Sequence, residues 1–462
     1  MATASSSIVA LLVVGCGQPA AQSPNIVFIF ADDWGWGDLG VHGSDTLHTP
    51  NIDRLAREGT DFHQFTVNSP VCSPSRAALM TGQFPERFGI DRHFANIEHH
   101  QRAGMPDWLD TGAPSLARML RDTGYSTAHF GKWHLTNIWI EDAPHPDQYG
   151  FDEYAAFNLP GKNMPPRETA DRAVDFIRRH GDRPFFLNVW LHETHTPHYP
   201  DEDVLEKYGH LDAPEQVYAA VVEAGDRDVG RILAAIGELG LEENTVVIFS
   251  SDNGPESPND VKSMDDLATG PGFGRYYSVG SAGGMKGRKR SLYSGGVRVP
   301  FIVRWPGVVP ENAVDTTSVI TAVDLLPTFL DIAGGMHPAA YSSDGESAIA
   351  ALRGNRFRRS KPIYWVWPAS DRGAGVDTPN WPQFGFQKDG WKLLTNPHLE
   401  RTELYRVRED WYEANDLSDQ HPDMTARLLA EMNDLRSGFP DAPPEAALSR
   451  LRERDTADLP VR

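Results

Sequence analysis

The stretch Cys72-Ser73-Pro74-Ser75-Arg76 sets a thiol and a guanidinium one helical turn apart, and Ala77-Ala78-Leu79-Met80-Thr81-Gly82 continues it as a helix. Ser73 or Cys72 suits its cap, Pro74 its first turn and Gly82 its end. The thiol then stands at a helix N-terminus, where free N–H groups and the dipole favour an anion. Arg76 presents a cation to the same face. Four other polar groups carry chemistry: Asp32-Asp33, Lys132 with His134, the run His192-Glu193-Thr194-His195-Thr196-Pro197-His198, and Asp252-Asn253. Three histidines and a glutamate evoke a zinc site, but the His-Glu-x-x-His order is missing and Pro197 opposes a helix. Asp32, Asp33, Asp252 and Asn253 are all oxygen donors, which favour calcium or magnesium over zinc. The densest basic cluster is Gly284-Met285-Lys286-Gly287-Arg288-Lys289-Arg290, read as an anion-binding loop.

The elements that must position these groups are strands. Pro24 to Phe30, Thr127 to Phe130, Pro184 to Leu191 and Thr245 to Ser250 are apolar runs suited to parallel strands, the first and last as strands covered on both faces. Each is followed by one of the four polar groups. In an open parallel sheet the C-terminal strand ends line one edge, where ligands bind. The pattern predicts an α/β fold: a large mixed, mostly parallel sheet sandwiched by helices, with a smaller C-terminal antiparallel-sheet subdomain. Helices are expected from Ala113-Pro114-Ser115 to about Asp122, and over Thr169 to His180, Gln216 to Glu238 and Thr321 to Ala333. Residues 136–167 read as a long irregular loop. From about Lys361 short strands and turns take over, closed by a helix from Pro422 to about Ser437, and 440–462 read as a loosely packed tail. The expected divisions are 1–22 as a leader, 23–355 as the catalytic part and 356–462 as the C-terminal part.

The chain has 462 residues, with 43 Lys+Arg against 64 Asp+Glu and a net charge of -21. Nucleic-acid binding by bulk charge is excluded, and an anionic substrate needs a local basic pocket. Only two cysteines occur, Cys16 and Cys72. Ile8 to Val14 is an apolar run of leader length, too short to span a membrane. Val13-Val14-Gly15-Cys16 resembles a lipoprotein cleavage box, which implies export and a lipid anchor in the periplasm or outer membrane of a bacterium. An ordinary leader cut near Ala20 or Ala21 is the other reading. The basic segment of a leader is missing, since no Lys or Arg precedes Arg54.

The longer pattern Cys72-x-Pro74-Ser75-Arg76-x5-Gly82 resembles the signature of the type I, formylglycine-dependent sulfatases of the alkaline phosphatase superfamily. The resemblance extends along the chain: Asn25-Ile26-x5-Asp32-Asp33, Gly131-Lys132-Trp133-His134, His195-x-Pro197, Ser251-Asp252-Asn253-Gly254, Gly295-Gly296-x-Arg298-x-Pro300 and Asp324-Leu325-Leu326-Pro327-Thr328. One departure is Ser294, where the family has Glu. The resemblance implies oxidation of Cys72 to formylglycine by a formylglycine-generating or anaerobic maturation enzyme. It also implies one Ca2+ held by Asp32, Asp33, Asp252, Asn253 and the modified Cys72. The hydrate would attack sulfur, held by Arg76, with Lys132, Lys286 and the metal neutralising sulfate. His195 is the candidate general acid. His134 would take the proton from the second hydroxyl, releasing sulfate. His198 and Arg288 are candidate substrate contacts. The implied partner is a sulfated carbohydrate: carrageenan, ulvan, fucan or a glycosaminoglycan. Two other readings are a phosphodiesterase or phosphonate monoester hydrolase of the same superfamily, and a non-catalytic glycan-binding lipoprotein.

Overall fold

The computed structural model describes residues 23–452 apart from 261, 263, 268, 269, 336 and 369–380. Cys16 and its apolar run, and residues 453–462, lie outside the described residues. An eight-stranded sheet forms the centre of the molecule. Its strands, in chain order, are β1 (Asn25–Ala31), β2 (Thr60–Phe62), β3 (Ser126–Lys132), β4 (Glu153–Phe157), β5 (Phe185–Trp190), β6 (Thr245–Ser251), β7 (Phe301–Arg304) and β8 (Ala313–Asp315). Their spatial order is β8-β2-β7-β6-β1-β5-β3-β4. Only β7 runs against its neighbours, β6 and β2; every other pairing is parallel. All seven residues of β1 and of β6 are buried, which is why these runs are apolar at consecutive positions rather than at alternate ones.

The two faces of the sheet are covered by different helices. Ile26, Phe28 and Phe30 of β1 share a core with Ala77, Leu79 and Met80 of the Cys72–Thr81 helix, and with the helices Leu116–Asp122 and Leu325–Ile332. The alternate residues Val27 and Ile29 pack with the helices Pro50–Arg57, Thr169–His180 and Ala213–Glu238. Period-two alternation along one strand thus feeds two cores. Among the described residues no helix is long and apolar enough to cross a membrane.

The Cys72–Thr81 helix is buried at all ten positions. Val71 occupies its N-cap position without a side-chain hydrogen bond, so neither Ser73 nor Cys72 caps it as expected. Ser73 is taken up elsewhere: its Oγ accepts from the Phe94 N–H at 3.0 Å. Gly82 ends the helix at φ 62, donating its N–H to Ala78 O at 2.8 Å. The outer side of the helix, through Ala78, packs against a four-stranded antiparallel sheet of β9 (Ile363–Val366), β10 (Phe384–Lys388), β11 (Trp391–Asn396) and β12 (Arg401–Tyr405). The Pro422–Ser437 helix covers that sheet with Leu428 and Met432.

Two expectations are corrected. The stretch 136–167 contains β4, an edge strand that is half exposed except at Ala156, so its residues carry no apolar run. Residues 440–452 are docked, not loose. Ala447 joins a core with Ile97, Trp108 and Ile140, and buried Asp107 accepts from the Ser449 N–H at 2.7 Å and from Arg452 Nε at 2.6 Å. Ser294 also finds a carboxylate. Its N–H donates to Glu413 Oε2 at 2.6 Å, and Lys392 pairs with Glu413 Oε1 at 2.6 Å.

Candidate active site

Register brings the site together. Ala31 of β1 lies level with Ser251 of β6, so Asp32 and Asp252 leave adjacent strands at the same height. The Asp33 N–H donates to Asp252 Oδ1 at 3.2 Å, and Asn253 Nδ2 donates to Asp33 Oδ1 at 2.7 Å. Asp33 sits at φ 61, a left-handed conformation that a short carboxylate side chain tolerates. On the other side of β1, Phe30 and Gly131 are both level with Trp190. Gly131 has φ 109, and a Cβ there would collide with the Trp190 carbonyl, so only glycine lets β3 pass this close before Lys132.

Lys132 Nζ lies 2.5 Å from Asp32 Oδ2, and His192 Nδ1 lies 2.7 Å from the same oxygen. Arg76 donates to Asp252 Oδ2 through Nη2 at 2.6 Å and Nε at 3.1 Å, and its guanidinium lies 4.6 Å from the Trp190 ring centroid. Lys289 Nζ lies 2.6 Å from Asp33 Oδ1 and 2.7 Å from Oδ2. Three carboxylates and three cations are thus gathered beneath one cleft. Its volume is about 700 Å3, and Cys72, Lys132, His134, His195 and Lys289 line it.

Burial and these pairs set the protonation states. Burial, added to repulsion from Asp32, pushes Asp252 up to about 7, although Arg76 opposes it. Burial also raises Asp33, against the pull of Lys289. For Asp32 burial is outweighed by the charge of Lys132, the hydrogen bond from His192 and the charge of Arg76, which hold it well below the usual carboxylate range. Burial raises the Cys72 thiol despite Lys132 and Lys289. Burial and Lys132 keep His134 neutral, its pKa well below the usual histidine value. His134 Nε2 is 3.0 Å from the Phe94 carbonyl, which can only accept, so the proton is assigned to Nε2. Nδ1 is then a bare lone pair, buried and without a partner. His195 is likewise held neutral, because burial, helped by Lys132 and Lys289, outweighs the pull of Asp32. Its Nδ1 is 2.6 Å from Thr196 O, and its Nε2 is 3.8 Å from Asp33 Oδ2.

The residues fit a hard cation. Asp32, Cys72 and Asp252 each offer a ligand atom within 4.8 Å of one another. Asp32 Oδ1 and Asn253 Oδ1 are buried without a hydrogen-bond partner. An oxygen stripped of water and given no donor is costly, and a cation that prefers oxygen ligands relieves it.

Nine of the expected residues therefore meet: Asp32, Asp33, Cys72, Arg76, Lys132, His134, His195, Asp252 and Asn253. Three do not. Lys286 points away, with Nζ 4.0 Å from the Tyr293 ring centroid and 5.9 Å from that of Tyr405. Arg288 donates to the carbonyls of Glu256 and Gly280, and His198 is fully buried with Nε2 3.0 Å from Ser278 Oγ. The backbone path explains the exchange of lysines. The Gly295 N–H donates to Lys286 O and the Lys289 N–H to Pro255 O, with Gly287 at φ 81 between them. Two residues absent from the expected set belong here: Lys289, one of four cations in a single run, and His192, in the histidine-rich run already noted.

Residues 24–336 match the Sulfatase family model. The chain belongs to the sulfatase family. Residues 287–438 match a second model, N-sulphoglucosamine sulphohydrolase, C-terminal. This sulfatase is 32% identical to N-acetylgalactosamine-6-sulfatase of Canis lupus familiaris over 402 residues, covering 78% of this chain and 71% of that one. It is 32% identical to arylsulfatase A of Homo sapiens over 409 residues, covering 79% and 75%. The crystal structure of Ps i-CgsB superposes with a TM-score of 0.77 at 26% identity, covering 95% of this chain and 98% of that one. The chain is accordingly a sulfuric ester hydrolase of the alkaline phosphatase superfamily.

Two predictions follow from this geometry. Lys289→Met should lower kcat/KM for an aryl sulfate by about 10²–10³, the scale for losing one charge-stabilising group, whereas Lys286→Met should stay within a few-fold. The reverse order would remove Lys289 from the site. Chelation should lower the thermal unfolding midpoint, and Ca2+ at about 100 times its Kd should restore about 2.7 kcal/mol. Asn253→Leu should abolish that response; a midpoint indifferent to chelator and Ca2+ would leave the cation without support.

Proposed function

We propose that this sulfatase removes sulfate from a sulfated polysaccharide or oligosaccharide, using formylglycine made from Cys72 by a maturation enzyme, and one calcium ion. The observation that carries the reading is the position of Cys72. It opens an uncapped, buried helix at the bottom of the cleft, under the charges of Lys132 and Lys289 and beside Asp32 and Asp252. The rim supports a carbohydrate. Trp139 is 68% exposed and offers a flat face to a sugar ring, and Asn137, Asn158 and Asn163 offer amides to hydroxyl groups. Ps i-CgsB has been crystallised with a neocarrahexaose, and the mammalian relatives include an N-acetylgalactosamine-6-sulfatase. Export behind a leader near Cys16 suits a polymer met outside the cell.

Formylglycine at position 72 would supply one hydroxyl for attack on sulfur and a second whose deprotonation frees sulfate. Calcium, held by Asp32, Asp33, Asp252 and Asn253, would supply charge for the sulfate oxygens and acidify a neighbouring hydroxyl. The protein's own groups do the rest. Arg76, fixed by Asp252 and packed on Trp190, holds the residue at position 72 from behind. Lys132 and Lys289 face the sulfate as cations fixed in advance, so no reorganisation is needed when charge develops. His134 accepts a proton at its unpaired Nδ1. His195 presents Nε2 to the leaving oxygen, because its Nδ1–H donates to the Thr196 carbonyl, and it must take up a second proton at Nε2 before it can give one to that oxygen.

Screening on sulfated oligosaccharides, with an aryl sulfate and an aryl phosphodiester in parallel, tests this reading. Inorganic sulfate should be released, and the phosphodiester should be the poorer substrate. His195→Ala should cost about 10²–10⁴ on a sugar sulfate, the usual range for a lost general acid, and much less on 4-nitrophenyl sulfate, whose leaving group needs no proton. Equal losses on both substrates would assign His195 to binding instead.

A further inference from the structure

Three segments meet at one end of the C-terminal sheet. Arg356 to Lys361 leads into β9, Lys388 to Gly390 turns from β10 into β11, and Arg406 to Glu409 leaves β12. Antiparallel register makes them neighbours: Ile363 is level with Gln387, Lys388 with Trp391, and Lys392 with Tyr405. With Gln64, Thr317 and Val319 of the catalytic part they enclose a groove of about 280 Å3. None of its lining residues lines the active-site cleft.

The groove is basic in a chain of net charge -21. Seven lining residues are cations, four from the segment before β9, one from the turn and two from the segment after β12; only Asp389 and Glu409 are acids. Some of these cations are matched. Arg359 pairs with Asp324, Lys388 lies 2.7 Å from Glu431, and Arg406 lies 3.5 Å from Glu409. Lys361 Nζ donates only to the carbonyls of Ser343 and Gly345. Arg356, Arg358 and Arg408 are exposed and have no acidic partner among the described residues. Four uncompensated cations are thus drawn together from two separate segments, against their mutual repulsion and against the sign of the whole chain. A solvated charge run comes from one segment, which this does not. Ile363, Val407 and Gln387 form a buried floor, and such low-dielectric walls focus the field of charges at the rim. Guanidinium groups match the oxygens of tetrahedral anions through paired N–H donors.

We infer that this groove is a second anion-binding site, outside the catalytic cleft, that holds the sulfate groups of a sulfated glycan chain. It deepens the reading of the substrate given above and rests on it. Its consequence is discrimination by length: a polymer engages both sites, and a small sulfate ester engages only the cleft.

The test uses the full chain carrying Cys72→Ala, so that binding is read without turnover, with heparin and ι-carrageenan as probes over a series of salt concentrations. Adding Arg356→Ala, Arg358→Ala and Arg408→Ala should weaken binding to at least one polymer about tenfold or more. It should also flatten the plot of log K against log salt by about two to three ion contacts. With Cys72 restored, the triple variant should hydrolyse 4-nitrophenyl sulfate within twofold of the parent. Unchanged affinity and unchanged salt slope for both polymers would overturn the inference. So would equal binding, equally lost, of single-stranded DNA of matched charge, since the groove would then select charge alone. If melting shows that the triple variant is misfolded, Arg408→Gln alone decides, with a two- to threefold loss expected and no loss contradicting. A parent that fails to hydrolyse any sulfate ester would sink the catalytic reading, and the polymer-binding result would still stand or fall by itself.

Discussion

Asp32, Asp33 and Asp252 are carboxylates with no exposed surface, set at the ends of two adjacent strands. Ions removed from water cost several kcal/mol each unless they are paired and hydrogen-bonded. Their partners arrive from three other places: Arg76 from the buried helix, Lys132 from β3 and Lys289 from the loop after β6. Each pair ties one element to the sheet end, so the charge balance and the geometry of the cleft are one constraint. The balance is incomplete where Asp32 Oδ1 and Asn253 Oδ1 lack donors. A divalent cation placed there would leave the site with excess positive charge, which is what a site for an anionic ester requires. An added Cβ at Gly131 would collide with the Trp190 carbonyl, so the close approach of β3 to β5 just before Lys132 requires glycine.

The parts of this arrangement that could be read from the sequence are those with a strong local cause. Ile26 to Phe30 and Val246 to Phe249 are apolar at every position because both of their faces are covered, and strand ends in a parallel sheet share an edge. Asp32, Lys132, His195 and Asp252 could therefore be placed together before any coordinates. Features decided by tertiary packing were not legible. Glu153 to Phe157 forms an edge strand with one buried position, and nothing in its composition marks it. Residues 440–452 are polar and Pro-rich, yet Asp107 and Trp108 hold them down. Lys289 and Lys286 lie in one basic run, and only the turn at Gly287 and the bonds to Pro255 and Gly295 decide which one faces Asp33.

The C-terminal sheet is more than a cover. It backs the Cys72–Thr81 helix, and the segment that leaves β12 supplies Glu413 to the Ser294 N–H, where the family pattern has a local Glu. A departure that reads as a lost contact in sequence is answered by a carboxylate more than a hundred residues away. Burial lowers the neighbouring Arg298 to about 10, opposed by that same Glu413. The Gly295-Gly296 segment, to which the Lys286–Arg290 loop is bonded through Gly295 N–H and Lys286 O, is thereby tied to the chain that follows β12. The arrangement of the site thus depends on residues from both ends of the chain.

The central claim is that the group at position 72 acts as a formylglycine rather than as a thiol. Mass analysis of the peptide containing residue 72, taken from a preparation whose sulfate-releasing activity has been measured, tests it most directly. An aldehyde or its hydrate should replace the thiol in proportion to specific activity, and fractions with only the thiol should be inactive. Full activity in a preparation whose residue 72 is entirely unmodified cysteine would contradict the claim.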